Sequence, residues 1–459
     1  MADDNSDLDF DIVLDPFGQQ PGLNIYTQIT SCYDLPETAS YPALIQTLRH
    51  GLTLLAANFP WLRGQIVKTH VGDNGSVQYR IRPLDDVIRL VVKDLSEDET
   101  MPSMTQMREA DFPFSMLDET VVAPINTFPD PSMDEVPVFV IQATVVVGGI
   151  LLTFLGHHQV MDMTAIGQVM HLLNKACRGQ SYTEEEFSVG NLSRHSVIPL
   201  LDDEWRPDAD TSNATCDAAP TPAPVEQEPS AAPKCSWAYY SFDAKSLADM
   251  KAEAAQALDS STGFVSTDDS LCAFIWKSVA RIRLARYDQT GTSTFARAVD
   301  PRRFLEIPST YPGLVQNMTY HKYTLQELAS LPLGSIASNL RAAVDPQTTT
   351  LSYDTRVLAT LLDRAQDKSK VSVTAALDLS LDVMLSSWSK ENCYHFDFNL
   401  DLGNPVAVRR PAFTPVESLM YLMPKRADGQ IVLGMCLRDQ DMQGLTKDAE
   451  FLKHAKLIG

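Results

Sequence analysis

The chain has 459 residues, 44% hydrophobic and 21% charged, so it can bury a large core and is long enough for two or three domains. Its 37 Lys and Arg against 59 Asp and Glu give a formal net charge of -22, which argues against nucleic acid or an anionic membrane as the main partner. The seven cysteines show no CxxC spacing, so the sequence indicates neither a zinc site nor a disulfide framework.

The N-terminal segment MADDNSDLDFDIVLD is acidic and lacks the basic start and apolar run of a secretory signal, so we expect a cytoplasmic protein. Further along, residues 136–155 form an apolar run long enough to cross a bilayer. The run is rich in β-branched residues and is split by Gly148 and Gly149, a pair suited to a tight hairpin turn. It therefore predicts two buried strands, at about 137–147 and 150–156, rather than a membrane helix.

The segment after these strands, residues 163–179, has its apolar residues on one face at helical spacing and ends at Gly179, a typical C-cap. His158 and Asp162, in the stretch FLGHHQVMDMTA, therefore lie in the turn between a buried strand and a helix. Both flanking elements are packed, so such a turn can hold a side chain rigidly at the edge of a cleft.

A neutral imidazole at this position can act as a general base, since its ordinary pKa of about 6.5 lies close to neutral pH. Asp162 could orient the loop or the ring, or it could pair with a distant arginine; the spacing alone leaves these alternatives open. A histidine at the end of a buried strand can equally be a hydrogen-bonded core residue. His157 is out of register with the aspartate, so we expect it to have a packing or supporting role.

Residues 201–234 are acidic and rich in Pro and Ala, with almost no large apolar side chains. This segment cannot form a core and is typical of a linker. It separates two stretches of mixed strand and helix patterns, residues 1–200 and 235–459, so the sequence predicts two α/β halves of similar size.

Three further motifs accompany HHQVMD. The stretch STDDSLCAFIWKSVARIR contains Ala273 and Trp276, VDPRRFLEIPSTYPGLVQN spans residues 299–317, and SSWSKENCYHFDFNLDLGNP contains Asp397 and Phe398. In this order and spacing they resemble the motifs of the BAHD-type acyltransferases, which are related in fold to chloramphenicol acetyltransferase and carnitine acyltransferase. Within that superfamily the chain is most similar to the fungal trichothecene 3-O-acetyltransferases, also through GLNIYTQIT, YPGLVQNMTYH and PVESLMYLMPK.

This resemblance implies two chloramphenicol-acetyltransferase-like domains, each a mixed sheet with flanking helices, joined by a long crossover linker. It further implies an enzyme that uses acetyl-CoA as co-substrate, without a metal, and acetylates a hydroxyl of a fungal secondary metabolite. The C-3 hydroxyl of a trichothecene is the expected acceptor; another terpenoid, an ergot-alkaloid alcohol, or a catalytically weak relative that binds such a molecule are the alternatives. We expect a monomer with no nucleic-acid or membrane partner.

The resemblance also assigns roles to residues. His158 would be the base, and Asp162 would pair with Arg302, which gives structural support. Asp397, at the start of the third motif, would also have a structural role. The CoA phosphates need local cations, for which the candidates are Arg303, Arg409, Arg410, Lys425 and Arg426. Ser386 and Ser387 would line the path of the pantetheine arm. The pattern assigns no donor to the oxyanion of the intermediate.

Two departures from the family pattern concern glycines. Met163 stands where the family has Gly after the aspartate, and Asn399 and Asp401 stand where close relatives have Gly in the third motif. Asn and Asp tolerate the left-handed backbone conformation best among non-glycine residues, so we expect the loop to keep its shape.

Overall fold

The computed structural model of the protein describes residues 10–36, 39–71, 76–207, 233–258, 263–374 and 377–459. Its strands are β1 (Ile12–Val13), β2 (Tyr26–Asp34), β3 (Gly64–Val71), β4 (Ser76–Pro83), β5 (Arg89–Asp94), β6 (Phe139–Val146), β7 (Gly149–His157), β8 (Cys235–Phe242), β9 (Thr292–Val299), β10 (Asn317–Thr324), β11 (Val383–Ser387), β12 (Ala407–Arg409), β13 (Leu419–Leu422), β14 (Ile431–Arg438) and β15 (Lys456–Leu457). Its helices are α1 (Tyr41–Asn58), α2 (Met104–Glu109), α3 (Glu119–Val122), α4 (Met163–Cys177), α5 (Glu184–Gly190), α6 (Ala244–Ala255), α7 (Thr267–Arg283), α8 (Leu325–Ser330), α9 (Leu333–Ala342), α10 (Leu351–Arg364), α11 (Asp439–Leu445) and α12 (Ala449–Leu452).

The N-terminal half, up to residue 207, is built on a five-stranded mixed sheet in the order β12-β2-β7-β6-β5. At its centre β6 and β7 form an antiparallel hairpin in which Val146 faces Gly149 and Gly148 has a positive φ of 75°. The two predicted buried strands are thus confirmed, and every residue of both is buried. None of the helices in the described ranges is long and apolar enough to cross a membrane.

Helix α4 follows this hairpin and packs its apolar face on the sheet and on α1. Asp162 is its N-cap and accepts a hydrogen bond from the backbone N–H of Ala165. The helix ends at Cys177 with Arg178 as its C-cap, and Gly179, one residue beyond, takes the positive φ of 64° that is typical of glycine at this end of a helix.

The C-terminal half, from residue 233, is built on a seven-stranded mixed sheet in the order β10-β9-β11-β13-β14-β8-β15. Helix α7 begins with a capping box between Ser266 and Asp269 and packs among α6, α8 and α9. Trp276 of this helix is fully buried and donates its indole N–H to Ser293 on β9 over 3.0 Å. The predicted α/β class, with mixed sheets and flanking helices, is confirmed, and a small third sheet in the order β1-β4-β3 belongs to the N-terminal half.

One strand of the C-terminal half belongs to the other sheet. β12 pairs antiparallel with β2, and Arg409 faces Thr30 at the edge of the N-terminal sheet. The two halves are therefore joined by backbone hydrogen bonds as well as by side-chain packing. The division at residues 201–234 stays a prediction, and residues 208–232 of the proposed linker lie outside the described ranges.

The loop that precedes β12 has the left-handed conformations that its sequence predicts. Asn399 and Asp401 have φ values of 55°, and Gly403 has one of 72°. Asp397 forms an ion pair with Arg178 just after α4, and Asn399 donates to the carbonyl of Cys177 over 3.3 Å. The loop thus closes over the C-terminal end of α4, which agrees with a structural role for Asp397.

Candidate active site

His158 is the first residue after β7, and its backbone N–H donates to the carbonyl of Ile25 over 2.8 Å. Its ring Nδ1 lies 3.1 Å from the carbonyl oxygen of Met161. Because a carbonyl oxygen only accepts, Nδ1 must carry the hydrogen, and Nε2 keeps its lone pair. The side chain is partly exposed, whereas both sequence neighbours, His157 and Gln159, are fully buried. The ring therefore offers a proton acceptor to the space beside the turn.

The surroundings of His158 favour its neutral form. Burial lowers the pKa of His158, the hydrogen bond to Met161 and the carboxylate of Asp162 act in the opposite direction, and the positive charge of Arg410 lowers it further. The net shift is downward. A neutral imidazole at neutral pH is the form that a general base needs.

His157 points into the core and is held on both ring nitrogens. Its Nδ1 accepts from the backbone N–H of Gln159 over 3.3 Å, so Nε2 carries the hydrogen and donates to Oδ1 of Asn24 over 3.1 Å. The ring also stands edge-on to Tyr26 with 5.0 Å between centroids. Burial and the neighbouring His158 lower the pKa of His157 to about 3. These contacts suit the supporting role that the sequence predicts for His157.

Asp162 faces away from His158 and is saturated with hydrogen bonds. Oδ1 accepts from Ala165, and Oδ2 accepts both from Nη2 of Arg302 and from the backbone N–H of Val315, each over 2.8 Å. Arg302 is 1% exposed and also donates to the carbonyl of Gly313 over 2.6 Å. The ion pair that the resemblance implies is present, and it ties the turn of His158 to residues 313–315.

Gln316, which follows this tethered segment, brings its side-chain amide to 3.5 Å from Nε2 of His158. On its other side Asn317 begins β10 and donates to Oγ1 of Thr355 over 3.1 Å. The sequence analysis missed Gln316. Its position carried a signal, because Gln316 directly precedes Asn317 in the YPGLVQN motif. It also directly follows Val315, whose backbone N–H binds Asp162.

A cavity of about 1300 Å³ lies between the two halves and reaches the first turn of α4 through Thr164 and Gly167. Its basic lining residues are Lys251, Arg297, Arg302, Arg303, Arg341, Lys390 and Lys425. Three of these form ion pairs with aspartates, namely Arg297, Arg302 and Arg341. The other four have no ion pair with any carboxylate in the part of the chain that the structure describes. The cavity therefore carries the unneutralised positive charge that an anionic ligand needs in this acidic protein.

Some residues that the sequence predicted for cofactor binding line this cavity. Ser387, Arg303 and Lys425 do so, and Ser387 donates to Oδ1 of Asp268 over 2.6 Å. Ser386, one residue earlier on β11, accepts from the indole N–H of Trp388 over 3.0 Å and is not among the lining residues. Sequence reasoning missed Lys251 and Lys390, which no motif distinguishes from surface lysines.

The structure corrects the assignment of Arg409. This side chain is fully buried and donates to the carbonyls of Asp111, Phe112 and Val408 and to the carboxylate of Asp111. Its guanidinium is used to hold β12 in place, so it is not available to a phosphate.

Two further candidate cations also lie away from the cavity. Arg410 is 2% exposed, donates to Thr127 over 3.2 Å and lies over the ring of Phe413 at 4.2 Å. Arg426 is in an ion pair with Asp428 at 3.3 Å. Charge alone therefore did not distinguish these arginines from Arg303.

Glu391 is a half-buried carboxyl in the cavity wall that the sequence analysis also missed. It accepts a hydrogen bond from the hydroxyl of Thr164 over 3.0 Å. Its other oxygen lies so close to Gly167 that a Cβ at that glycine would meet it at 2.4 Å. Burial raises the pKa of Glu391 to about 7, although the bond from Thr164 acts in the opposite direction.

Comparisons with known proteins identify relatives of the chain. Residues 25–177 match the family description of the trichothecene 3-O-acetyltransferase-like N-terminal domain. The chain is 44% identical over 456 residues to the O-acetyltransferase dmxR13 of a Cryptosporiopsis species, which covers 99% of both chains. It is 45% identical over 460 residues to the trichothecene 3-O-acetyltransferase TRI101 of Fusarium sporotrichioides, covering 99% of this chain and 98% of the relative.

The fold of the chain is also similar to those of solved structures. The crystal structure of F. sporotrichioides TRI101 complexed with coenzyme A and T-2 superposes with a TM-score of 0.90 and 44% identity, covering 98% of this chain and all of that one. Vinorine synthase superposes over 97% of this chain and 94% of its own with a TM-score of 0.66 at 15% identity, a likeness of fold alone. In the part of the chain that is described, no group of three or more His, Cys, Asp or Glu is placed to hold a metal ion.

Proposed function

We infer that this chain, which belongs to the trichothecene 3-O-acetyltransferase-like family of acyltransferases, transfers the acetyl group of acetyl-CoA to a hydroxyl group of a fungal secondary metabolite. The 44–45% identity to O-acetyltransferases over almost the whole chain supports this activity. The solved structure of the relative from F. sporotrichioides is a complex with coenzyme A, which supports acetyl-CoA as the co-substrate.

The observation that carries the reaction is the hydrogen-bonding pattern of His158, which leaves the Nε2 lone pair free. We propose that Nε2 takes the proton of the acceptor hydroxyl as its oxygen attacks the acetyl carbonyl carbon. The resulting tetrahedral oxyanion collapses, the C–S bond breaks, and the CoA thiolate takes the proton back from the imidazolium. The acetyl group passes directly to the acceptor, so no acyl-enzyme forms.

We assign the CoA binding site to the cavity between the two halves. Its volume of about 1300 Å³ is larger than the roughly 300–1,000 Å³ of pockets for drug-sized ligands, which suits a long co-substrate. Its unpaired cations, Lys251, Arg303, Lys390 and Lys425, would neutralise the phosphates. Ser387 would lie along the pantetheine arm, and the cavity's approach to the first turn of α4 would bring the thioester toward His158.

Asp162, in this scheme, does not touch the reacting atoms. With Arg302 it fixes the turn that carries His158, and Asp397 fixes the end of α4 that follows. We further propose that the chain acts as a monomer in the cytoplasm, without a nucleic-acid or membrane partner. The units 1–200 and 235–459 would form its two domains, joined by residues 201–234.

We propose the C-3 hydroxyl of a trichothecene as the acceptor, because one of the relatives at 45% identity is a trichothecene 3-O-acetyltransferase. The 44% identity to an O-acetyltransferase whose name specifies no trichothecene supports a second candidate, the hydroxyl of another metabolite such as a terpenoid or an ergot alkaloid. A weak relative that only binds its metabolite is the least supported alternative, because His158, Asp162 and Arg302 are all in place.

The decisive experiment incubates the purified protein with acetyl-labelled acetyl-CoA and a panel of trichothecenes, other terpenoid alcohols and ergot-alkaloid alcohols. Transfer of label to the 3-hydroxyl of a trichothecene, absent with His158→Ala, is the expected result. Faster transfer to another alcohol would identify that alcohol, rather than a trichothecene, as the acceptor. Tight binding of one alcohol, with no transfer of label to any alcohol of the panel, would indicate that the protein binds a metabolite without acetylating it.

A further inference from the structure

The amide of Gln316 faces the one ring atom of His158 that is free to react. The two Nε2 atoms are 3.5 Å apart, at the outer limit of a hydrogen bond. Since Nδ1–H of His158 is donated to Met161, Nε2 carries a lone pair, and the NH2 end of the amide rather than its oxygen must face it. The contact is therefore a loose one between a donor and an acceptor.

Both side chains of this pair are partly accessible. His158 and Gln316 are both partly exposed, while the residues on either side of each are buried, so the two side chains leave their backbones toward a common accessible region. An oxygen atom placed about 2.8 Å from each nitrogen would complete a triangle with the 3.5 Å edge. That oxygen could hydrogen-bond to both groups at once.

We propose that Gln316 is a second catalytic residue, which holds the acceptor hydroxyl in its reactive orientation. A hydroxyl oxygen has one hydrogen and two lone pairs. The hydrogen points at Nε2 of His158, one lone pair accepts the N–H of Gln316, and the remaining lone pair is then aimed at the acetyl carbon. This inference rests on the proposed acetyl transfer and adds to it the group, the amide of Gln316, that orients the attacking hydroxyl.

The reaction balances with Gln316 as a neutral donor throughout. The proton moves from the hydroxyl oxygen to Nε2, the new C–O bond forms, the C–S bond breaks, and the proton moves from Nε2 to the thiolate sulfur. The amide of Gln316 neither gains nor loses a proton, but its hydrogen bond restricts the acceptor hydroxyl oxygen to one orientation. Orientation of this kind is a large contribution to enzymatic rates, and small misplacements cost on the order of a hundredfold.

The fold holds Gln316 through the same carboxylate that holds the His158 turn. Oδ2 of Asp162 accepts the backbone N–H of Val315, and Arg302, its ion-pair partner, donates to the carbonyl of Gly313. The two groups of the proposed site are 158 residues apart in sequence, yet both are fixed to Asp162 through short connections. This arrangement makes Asp162 and Arg302 positioning residues for Gln316 as well as for His158.

The test compares Gln316→Leu, which keeps the size of the side chain but removes the donor, with Gln316→Glu and with the matched control Gln443→Leu at an exposed position of helix α11. We expect Gln316→Leu to lower kcat for acceptor acetylation roughly tenfold to a hundredfold. KM for acetyl-CoA should be unchanged, since Gln316 does not line the cavity. If Gln316→Leu does not fold, Gln316→Asn provides the same comparison with an amide that is one methylene too short to reach.

A pH profile separates this role from a merely structural one. The N–H of Gln316 disfavours a proton on Nε2, so Gln316→Leu should move the acid limb of kcat/KM to higher pH, and Gln316→Glu should move it further. Wild-type turnover in Gln316→Leu would overturn the role of Gln316 but not the proposed acetyl transfer. A loss of turnover that accompanies a lower melting temperature, with an unchanged acid limb, would do the same. A wild-type protein that acetylates no alcohol overturns the proposed function together with it.

Discussion

Asp162 and Arg302, 140 residues apart in sequence, form a buried ion pair with 2.8 Å between Oδ2 and Nη2. Because the same Oδ2 also accepts the backbone N–H of Val315, a single carboxylate sets the relative position of two segments from different halves of the chain. The stability of the catalytic turn should therefore depend on this pair.

Removing either partner of the pair should destabilise the protein. Arg302→Met leaves the buried carboxylate of Asp162 without its counter-charge, and Asp162→Asn leaves the buried guanidinium of Arg302 with only the more exposed carboxylate of Asp300. Breaking a buried ion pair by removing one partner typically costs about 3–5 kcal/mol. The double variant should lose less than the sum of the two, because the residues share one interaction. Thermal unfolding of the three variants measures the coupling. Asp300→Asn, which removes the more exposed carboxylate 3.0 Å from Arg302, is the matched control and should cost below about 1 kcal/mol. Additive losses would contradict the assignment of Asp162 to the scaffold.

The two adjacent histidines should differ in their effect on turnover. His158→Ala removes the base and should lower kcat by on the order of a hundredfold to ten-thousandfold with little change in melting temperature. His157→Ala removes the bonds to Asn24 and Gln159 from the core, so it should lower the melting temperature more and turnover much less. Steady-state kinetics and calorimetry on both variants provide the comparison. Equal loss of turnover in the two variants would mean that the roles are wrongly assigned.

The acid limb of kcat/KM should lie below the ordinary histidine pKa of 6.5, because burial lowers the pKa of His158. This limb reports the free enzyme's essential base, which must be deprotonated to act. Activity should consequently persist at pH 6, where an exposed histidine would be largely protonated. Initial rates across pH, with fluorescence to confirm that the fold is intact at each value, make the measurement. A limb at or above pH 6.5 would contradict a desolvated base.

Glu391 should make stability fall as pH rises. Its pKa in the folded protein is about 7, raised by burial above the ordinary 4.5. The unfolded chain releases this proton more readily than the folded protein. The free energy of unfolding therefore falls progressively from about pH 4.5, and the loss is complete above pH 7. Glu391→Gln removes the cost, so the melting temperature should rise more at pH 8 than at pH 5, by roughly 1 °C for each 1 kcal/mol relieved in a chain of 459 residues. An equal gain at both pH values would show that the carboxyl is not desolvated.

The unpaired cations of the cavity should control affinity for the co-substrate. Lys390→Ala and Lys425→Ala should each raise KM for acetyl-CoA about tenfold, the value of one charge-assisted hydrogen bond, and leave kcat nearly unchanged. The effect should shrink as salt is added, since screening weakens the remaining attraction. Lys447→Ala, on the segment between α11 and α12, is the matched control and should have no effect. An unchanged KM in both cavity variants would place the phosphates elsewhere.

Local sequence patterns predicted the elements that carry His158, because the information lies within a few residues. Gly148 marks the hairpin, and the spacing between Met163 and Gly179 marks the helix. The placement of Arg409 was not predictable in this way: it depends on the pairing of a three-residue strand with β2, which lies more than 370 residues earlier in the chain. Its charge indicated phosphate binding, whereas its burial decides a structural role.

The same reason explains what was missed at the site. Gln316 and Glu391 have no local signature, since each acquires its character from a partner on α4 or the turn before it: His158 for the amide and Thr164 for the carboxyl. The ion pair of Asp162 with Arg302, in contrast, followed from two motifs of the resembling family. Residues defined by contacts across the two halves become visible only once the chain is folded.

The pairing of β12 with β2 has a consequence for how the chain can be divided. β2 is buried along eight of its nine residues, and β12 covers part of the edge that β7 leaves open. A fragment ending at residue 207 would present that apolar edge with unpaired N–H and C=O groups, a ready template for pairing with another copy. The strand contributed by the C-terminal half thus protects the N-terminal sheet from self-association, and the protection exists only after residues 407–409 have joined that sheet.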